Sequence, residues 1–325
     1  DSVASRGLGD VYKRQAALDA FAETVTGENG VLATVARQVL SQLGLDSEPE
    51  LIEAPDTTVI DAVEAELGSG WLKSVTPSFD ANKAVLFDDS WAIARERLAR
   101  LALGQAEYPV DSFRGAGEDL ARQARWWKRE DIAKAAVDTT PGAFAGEVAL
   151  VTGAAPGSIA TALVERLLEG GATVIMTASR VSQARKEFAR TLYAEHGAAG
   201  SALWLVPANL SSFRDIDALI DWIGSEQRES VGNEVKILKP ALTPTLAFPF
   251  AAPSVSGSLA DASGTTEAQA RLLLWSVERT IAGLARLSQE DVDKRCHVVL
   301  PGSPNRGTFG GDGAYGEVKA ALDAI

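Results

Sequence analysis

Cysteine occurs once in the 325 residues, at Cys296, and histidine twice, at His196 and His297. A single cysteine excludes an internal disulfide framework and fits a reducing compartment. Two histidines far apart in sequence have no ligand spacing of the zinc kind, so no metal site is expected. Long apolar runs are missing as well. None approaches eighteen residues, which excludes a transmembrane helix. Positive charge is in deficit: 31 Lys and Arg against 44 Asp and Glu leave a net charge of −13, opposite to the basic surface that nucleic acid requires. What remains is 46% hydrophobic and 23% charged, the composition of a globular chain long enough for two domains. A cytoplasmic protein without nucleic-acid or membrane partners is expected.

Both ends of the sequence are unusual. Residues 1–15, DSVASRGLGDVYKRQ, lack the apolar centre of a signal peptide and look like translated sequencing-adapter sequence. They are set aside as a non-native or disordered tail. At the other end the chain stops at Ile325 inside an expected helix, without a cap or glycine stop signal, as a fragment of a longer polypeptide would.

Between them, residues 16–140 read as a mostly helical structural region. VLATVARQVLSQLGL (31–45) and TTVIDAVEAELG (57–68) have apolar residues at helical spacing. KAVLF (83–87) suits a short strand. Asp89 or Ser90 is placed to cap WAIARERLARLAL (91–103), whose Trp91, Ala94, Leu98 and Leu101 form one stripe. In the amphipathic stretch 117–137, Trp126 and Trp127 are expected to be core or interface residues. From Pro141-Gly142 onward strands and helices alternate, the signature of a parallel sheet covered on both faces. Strands are expected at 147–152, 172–178, 201–208, within 239–253, and at 296–303. Helices are expected at 158–170, 182–196, 212–227 and 266–287. The fold class is therefore α/β, a Rossmann-type doubly wound sheet over 141–325, cut short at the C-terminus and preceded by the helical region.

Three groups of residues bear on chemistry. In VTGAAPGSIA (151–160), Thr152 and Gly153 open the turn after the first strand. Gly157 lets the backbone approach a pyrophosphate at the helix N-terminus. Ser158 either donates to a phosphate or only caps the helix, and Ile159 stands where a third glycine is common. A glycine pair also marks ordinary βα turns, but the strand before and the helix after favour a nucleotide site. At the end of the second strand, Ser179 and Arg180 replace the carboxylate that would hold the ribose hydroxyls of NAD. A hydroxyl and a guanidinium suit a 2′-phosphate, although a plain surface arginine is the simpler alternative. Asn209 and Leu210 follow the third strand, where such folds contact adenine. The third group is AYGEVK (314–319): Tyr315 and Lys319, four residues apart, share a helix face. A tyrosine keeps its proton at neutral pH and can give it to a carbonyl oxygen. An adjacent ammonium eases that transfer, and Ser303, twelve residues upstream, can hydrogen-bond the developing oxyanion.

This combination resembles the short-chain dehydrogenase/reductase superfamily. The run LPGSPNRGTFGGDGAYGEVK (300–319), with LLLWSVERTIAGL (272–284) and TGAAPGSIA, is similar to the ketoreductase domain of type I fatty acid synthases of the fungal and especially the actinobacterial kind. The resemblance covers roughly 144–325. It implies NADPH-dependent reduction of 3-oxoacyl groups on an acyl-carrier-protein domain, with Ser303, Tyr315 and Lys319 as the catalytic set. It also implies other synthase domains as partners and a homo-oligomeric assembly. Two departures stand out: PFAA (249–252) replaces the usual N-N-A-G, and Ser276 occupies the helix position of a relay asparagine.

Two other readings compete. One is an enoyl reductase, suggested by the S-I-A of the first turn but disfavoured by the three-residue gap between Tyr315 and Lys319. The other is a non-catalytic nucleotide-binding or structural module of the same assembly.

Overall fold

The computed structural model describes residues 30–32, 34, 35, 38, 57–68, 70–88, 91–103, 117–138, 140–231, 234–253, 264–288, 295–306 and 314–325. The 1–15 tail, most of the 31–45 helix, the caps Asp89 and Ser90, and the 307–313 stretch of the glycine-rich run lie outside them.

Residues 58–325 form one compact unit. A short strand ahead of residue 141 joins the sheet that follows it. β1 (Val85–Phe87) pairs antiparallel with β4 (Ala202–Pro207), aligning Val85 with Leu205 and Phe87 with Leu203. The segment ahead of the α/β region thus closes one edge of its sheet. The remaining strands are β2 (Val148–Thr152), β3 (Thr173–Ala178), β7 (Leu246–Pro249) and β8 (His297–Val298). They run parallel to β4 in the order β1-β4-β3-β2-β7-β8. The winding reverses direction at β2, which is where a doubly wound sheet opens a crevice at its strand ends.

Alternation within the central strands explains the two-sided cover. Ala149, Val151, Val174, Met176, Leu203 and Leu205 face one way. There they meet Val164, Leu167 and Leu168 of the Ile159–Glu169 helix and Leu192 and Tyr193 of the Gln183–His196 helix. Leu150, Ile175, Trp204 and Val206 face the other way, onto Ile216, Leu219, Ile220 and Ile223 of the Phe213–Gly224 helix and Leu284 of the Ser276–Leu287 helix. Strands buried on both faces need nearly unbroken apolar sequence, and VALVT, TVIMTA and ALWLVP supply it. Each fully buried aliphatic side chain contributes roughly 1.5–3 kcal/mol of transfer free energy.

Several expectations are corrected. The fifth strand, expected over 296–303, has ladder pairing only at His297–Val298, extended by the bond from the Val299 N–H to the Ala247 carbonyl. Pro301 and Pro304 have no N–H to continue it. The helix expected to reach residue 227 ends at Gly224, and a hairpin follows, β5 (Gln227–Val231) with β6 (Glu234–Lys239). The 117–137 stretch breaks into Gly117–Trp126 and Glu130–Val137 around Lys128, whose φ is +58°. Trp126 and Trp127 are not core residues: they are 80% and 40% exposed and meet edge to face. Trp91 is exposed just ahead of the Ala92–Leu103 helix, while Ala94 and Leu98 of the expected stripe are buried. The long helix spans Gly264–Leu287 but carries a π-helical turn at Arg271–Trp275. No helix among the described residues is long and apolar enough to cross a membrane.

Candidate active site

The carboxyl ends of the parallel strands carry the residues that the sequence singles out. After β2 the chain must turn sharply beneath β7. Gly153 does so at φ +77°, and a Cβ there would come within 2.7 Å of the Ala251 backbone. Only glycine fits both the conformation and the gap. Gly157, at φ +76°, would place a Cβ in open space, so its backbone faces a free volume at the helix start. Arg185 fastens the turn by donating to the Ala154 carbonyl at 2.9 Å.

The hydroxyls around this turn are framework. Thr152 accepts from the Ala251 N–H at 3.0 Å and so ties β2 to the segment that follows β7. Ser158 caps the helix, accepting from the N–H groups of Ala155 at 3.0 Å and Thr161 at 3.2 Å. The Thr161 hydroxyl donates to the Ala155 carbonyl at 2.6 Å, so the Ser158 proton goes to Thr161 Oγ1, 3.1 Å away. Of the two roles open to Ser158, the structure shows the cap. Ile159, by contrast, is 80% exposed in the first turn of the helix.

At the end of β3, Ser179 and Arg180 are exposed and line a cleft of about 900 Å³. Asn209 also borders it, but its side chain is committed. Its amide nitrogen donates to the carbonyls of Ser74 at 2.8 Å and Thr76 at 2.9 Å, and its oxygen accepts from the Ser211 N–H at 3.1 Å. Asn209 builds the wall of the cleft. Leu210 is buried in the core beside Trp204 and Ile216. More of the cleft's lining comes from residues 70–78, which carry no motif that would place them here. Ser78 donates from its N–H to Asp215 at 2.8 Å, and its hydroxyl lies 3.0 Å from the Ser179 carbonyl. Asp215 also accepts from the Asn209 N–H at 2.8 Å. A Ser-x-x-Asp helix start at 212–215 was the one visible sign of this junction.

The third group sits past β8. Tyr315 begins the Tyr315–Ala321 helix, where its ring packs with Leu273, Ala314 and Val318. Lys319, one turn on, is 4% exposed, and its Nζ lies 5.7 Å from the Tyr315 ring centre. That nitrogen donates to the Pro301 carbonyl at 3.2 Å, two residues from Ser303. Burial pushes the Lys319 pKa below its ordinary value. Ser303 Oγ accepts from the Asn305 N–H at 3.2 Å, which leaves its own proton to be donated. Ser276 is buried and donates to the Leu272 carbonyl across the π-helical turn, so its hydroxyl serves the helix and not a proton relay. Burial raises the Cys296 pKa and makes that thiol a poor nucleophile. Among the described residues no cluster of three His, Cys, Asp or Glu side chains is placed to hold a metal.

No family profile matches the chain. By sequence it is 38% identical over 185 residues to fatty acid synthase subunit alpha of Schizosaccharomyces pombe, a match covering 56% of this chain and 10% of the relative. It is 39% identical over 186 residues to fatty acid synthase alpha subunit aflA of Aspergillus parasiticus, again over 56% of this chain and 10% of the relative. Both relatives are fungal. Among solved structures, a short chain dehydrogenase from Mycobacterium smegmatis is 22% identical with a TM-score of 0.45, over 56% of this chain and 69% of that one. This chain is similar to one stretch of the fungal fatty acid synthase alpha subunits, and it spans about a tenth of their length.

Proposed function

We propose that the chain is the ketoreductase part of a multifunctional fatty acid synthase, reducing 3-oxoacyl groups on a carrier-protein arm to 3-hydroxyacyl groups with NADPH. The observation that carries the reading is the meeting of Tyr315 and Lys319 on one helix face, with the Lys319 ammonium tied to Pro301 beside Ser303. The kinship with fungal synthase alpha subunits supports the substrate class.

The chain's residues fit a dinucleotide phosphate. The Gly153 turn has no room for a side chain, the Gly157 backbone borders open space, and Arg180 stands at a cleft beyond β3. Gly153, Gly157, Ile159, Ser179 and Arg180 would hold the cofactor; Thr152, Ser158 and Asn209 hold them in place. NADPH supplies the hydride for the carbonyl carbon. Tyr315 gives its phenolic proton to the carbonyl oxygen, so that the product is a neutral alcohol, and then recovers a proton from solvent. Lys319 offsets the phenolate charge that Tyr315 carries in between. Ser303 donates to the oxygen as negative charge builds there. In this setting the partners are the carrier-protein domain and other synthase domains of an oligomeric, cytoplasmic assembly.

Mixing the chain with NADPH and a pantetheine-linked 3-oxoacyl thioester tests the reading. Loss of NADPH absorbance with that substrate, and none with a 2-enoyl thioester, is the expected result. Turnover of the enoyl substrate alone would make the chain an enoyl reductase, and cofactor binding without turnover of either would make it a non-catalytic module.

A further inference from the structure

The cleft beyond β3 is lined by two cationic side chains, Lys73 and Arg180, and by no carboxylate. In a chain of net charge −13 that is a local reversal of sign. Among the described residues neither cation has an ion-pair or hydrogen-bond partner. Asp215, the carboxylate beneath this wall, is 1% exposed and turned inward onto the N–H groups of Ser78 and Asn209. Lys73 reaches the cleft from the Trp71–Val75 helix, far ahead of the β-α alternation. Its position is fixed at three places: the Trp71 indole donates to Glu267, Asn209 donates to the Ser74 and Thr76 carbonyls, and Ser78 donates to Asp215. A lysine on a segment held this firmly, with its charge unspent, lines the same cleft of about 900 Å³ as Arg180. Thr76, Ser78 and Ser179 add hydroxyls to the lining.

We infer that Lys73 and Arg180 together form a phosphate subsite that takes the 2′-phosphate of the adenosine moiety, making Lys73 a determinant of NADPH over NADH. The inference rests on the proposed nucleotide-dependent function. Two cations in an acidic protein also steer the doubly charged end of the cofactor toward the cleft. Part of the cofactor selectivity therefore lies on residues 70–78, outside the strands and turns that bind the dinucleotide itself.

Calorimetric titration of the full chain and its Lys73→Gln variant with NADPH, NADH and adenosine 2′,5′-bisphosphate tests it. Lys73→Gln is expected to weaken NADPH and the bisphosphate by at least about fivefold, leave NADH unchanged, and flatten the salt dependence of NADPH binding. A variant that binds NADPH as tightly as the parent, or loses NADPH and NADH equally, overturns the inference and leaves the proposed function standing. A parent chain that binds none of the three probes overturns the proposed function, and this inference with it.

Discussion

Lys319 and Tyr315 lie one helical turn apart, with the ammonium 5.7 Å from the ring centre and its proton directed at the Pro301 carbonyl. The lysine is therefore held by the segment leaving β8 that also carries Ser303. Because burial depresses its pKa, Lys319 loses its charge at a pH below the usual 10.5. The proposed reduction needs the charged form beside Tyr315, so the rate is expected to fall as pH rises into that window. A pH–rate profile checks this, and a plateau extending to pH 10.5 would contradict it. Folding stability should move the other way, since the unfolded chain binds the proton more tightly there.

Lys239 makes the same linkage measurable on stability alone. It is 1% exposed, donates to the carbonyls of Ile223, Ser225 and Pro240, and lies 4.7 Å from the Trp222 ring centre. Burial lowers its pKa to about 8. The folded state thus binds fewer protons than the unfolded state between about pH 8 and 10.5, and stability rises with pH across that window. Denaturant titrations should show the parent gaining on the order of 3 kcal/mol relative to Lys239→Met over this range. A difference that does not change with pH would contradict the assignment.

Gly153→Ala should be severe for two separate reasons. The positive φ costs roughly 1–2 kcal/mol for a residue with a side chain, and the new Cβ would press on the Ala251 backbone at 2.7 Å. Thermal unfolding should show a loss of about 2 kcal/mol or more, with NADPH binding abolished. Gly157→Ala has the strain without the clash, so it should lose about half as much stability.

Asp215→Ala leaves the N–H groups of Ser78 and Asn209 without their acceptor and should cost about 2–3 kcal/mol. It should also release residues 70–78 from the cleft. Hydrogen exchange should show faster exchange there and little change in the central strands. Uniform protection across both would contradict the role given to Asp215.

How much of this was legible in the sequence follows from which interactions are local. β2, β3 and β4 and the helices between them read directly, because double burial demands unbroken apolar runs and amphipathic helices between them. The Tyr315/Lys319 pair read from helical spacing taken with the upstream Ser303 and the glycine turn. β8 was overestimated because CHVV looks like a strand whatever follows, while its pairing ends near Pro301. The cap role of Ser158, whose partner Thr161 is local, was one of its two open readings. The ties of Thr152 and Asn209 and the burial of Leu210 were not legible, because their side chains answer to Ala251, Ser74 and Trp204 on other elements. Lys73 was missed for the same reason. Its segment carries no motif, and only the pairing of β1 with β4 and the bonds to Asn209 and Asp215 bring it to the cleft.

In the proposed ketone reduction Tyr315 is the proton donor. The direct test is the rate of NADPH oxidation with a 3-oxoacyl thioester for the parent and Tyr315→Phe, with NADPH affinity measured alongside. Removing the hydroxyl should lower the rate by about a hundredfold or more and leave the affinity unchanged. Near-parental turnover by the phenylalanine variant would contradict the account.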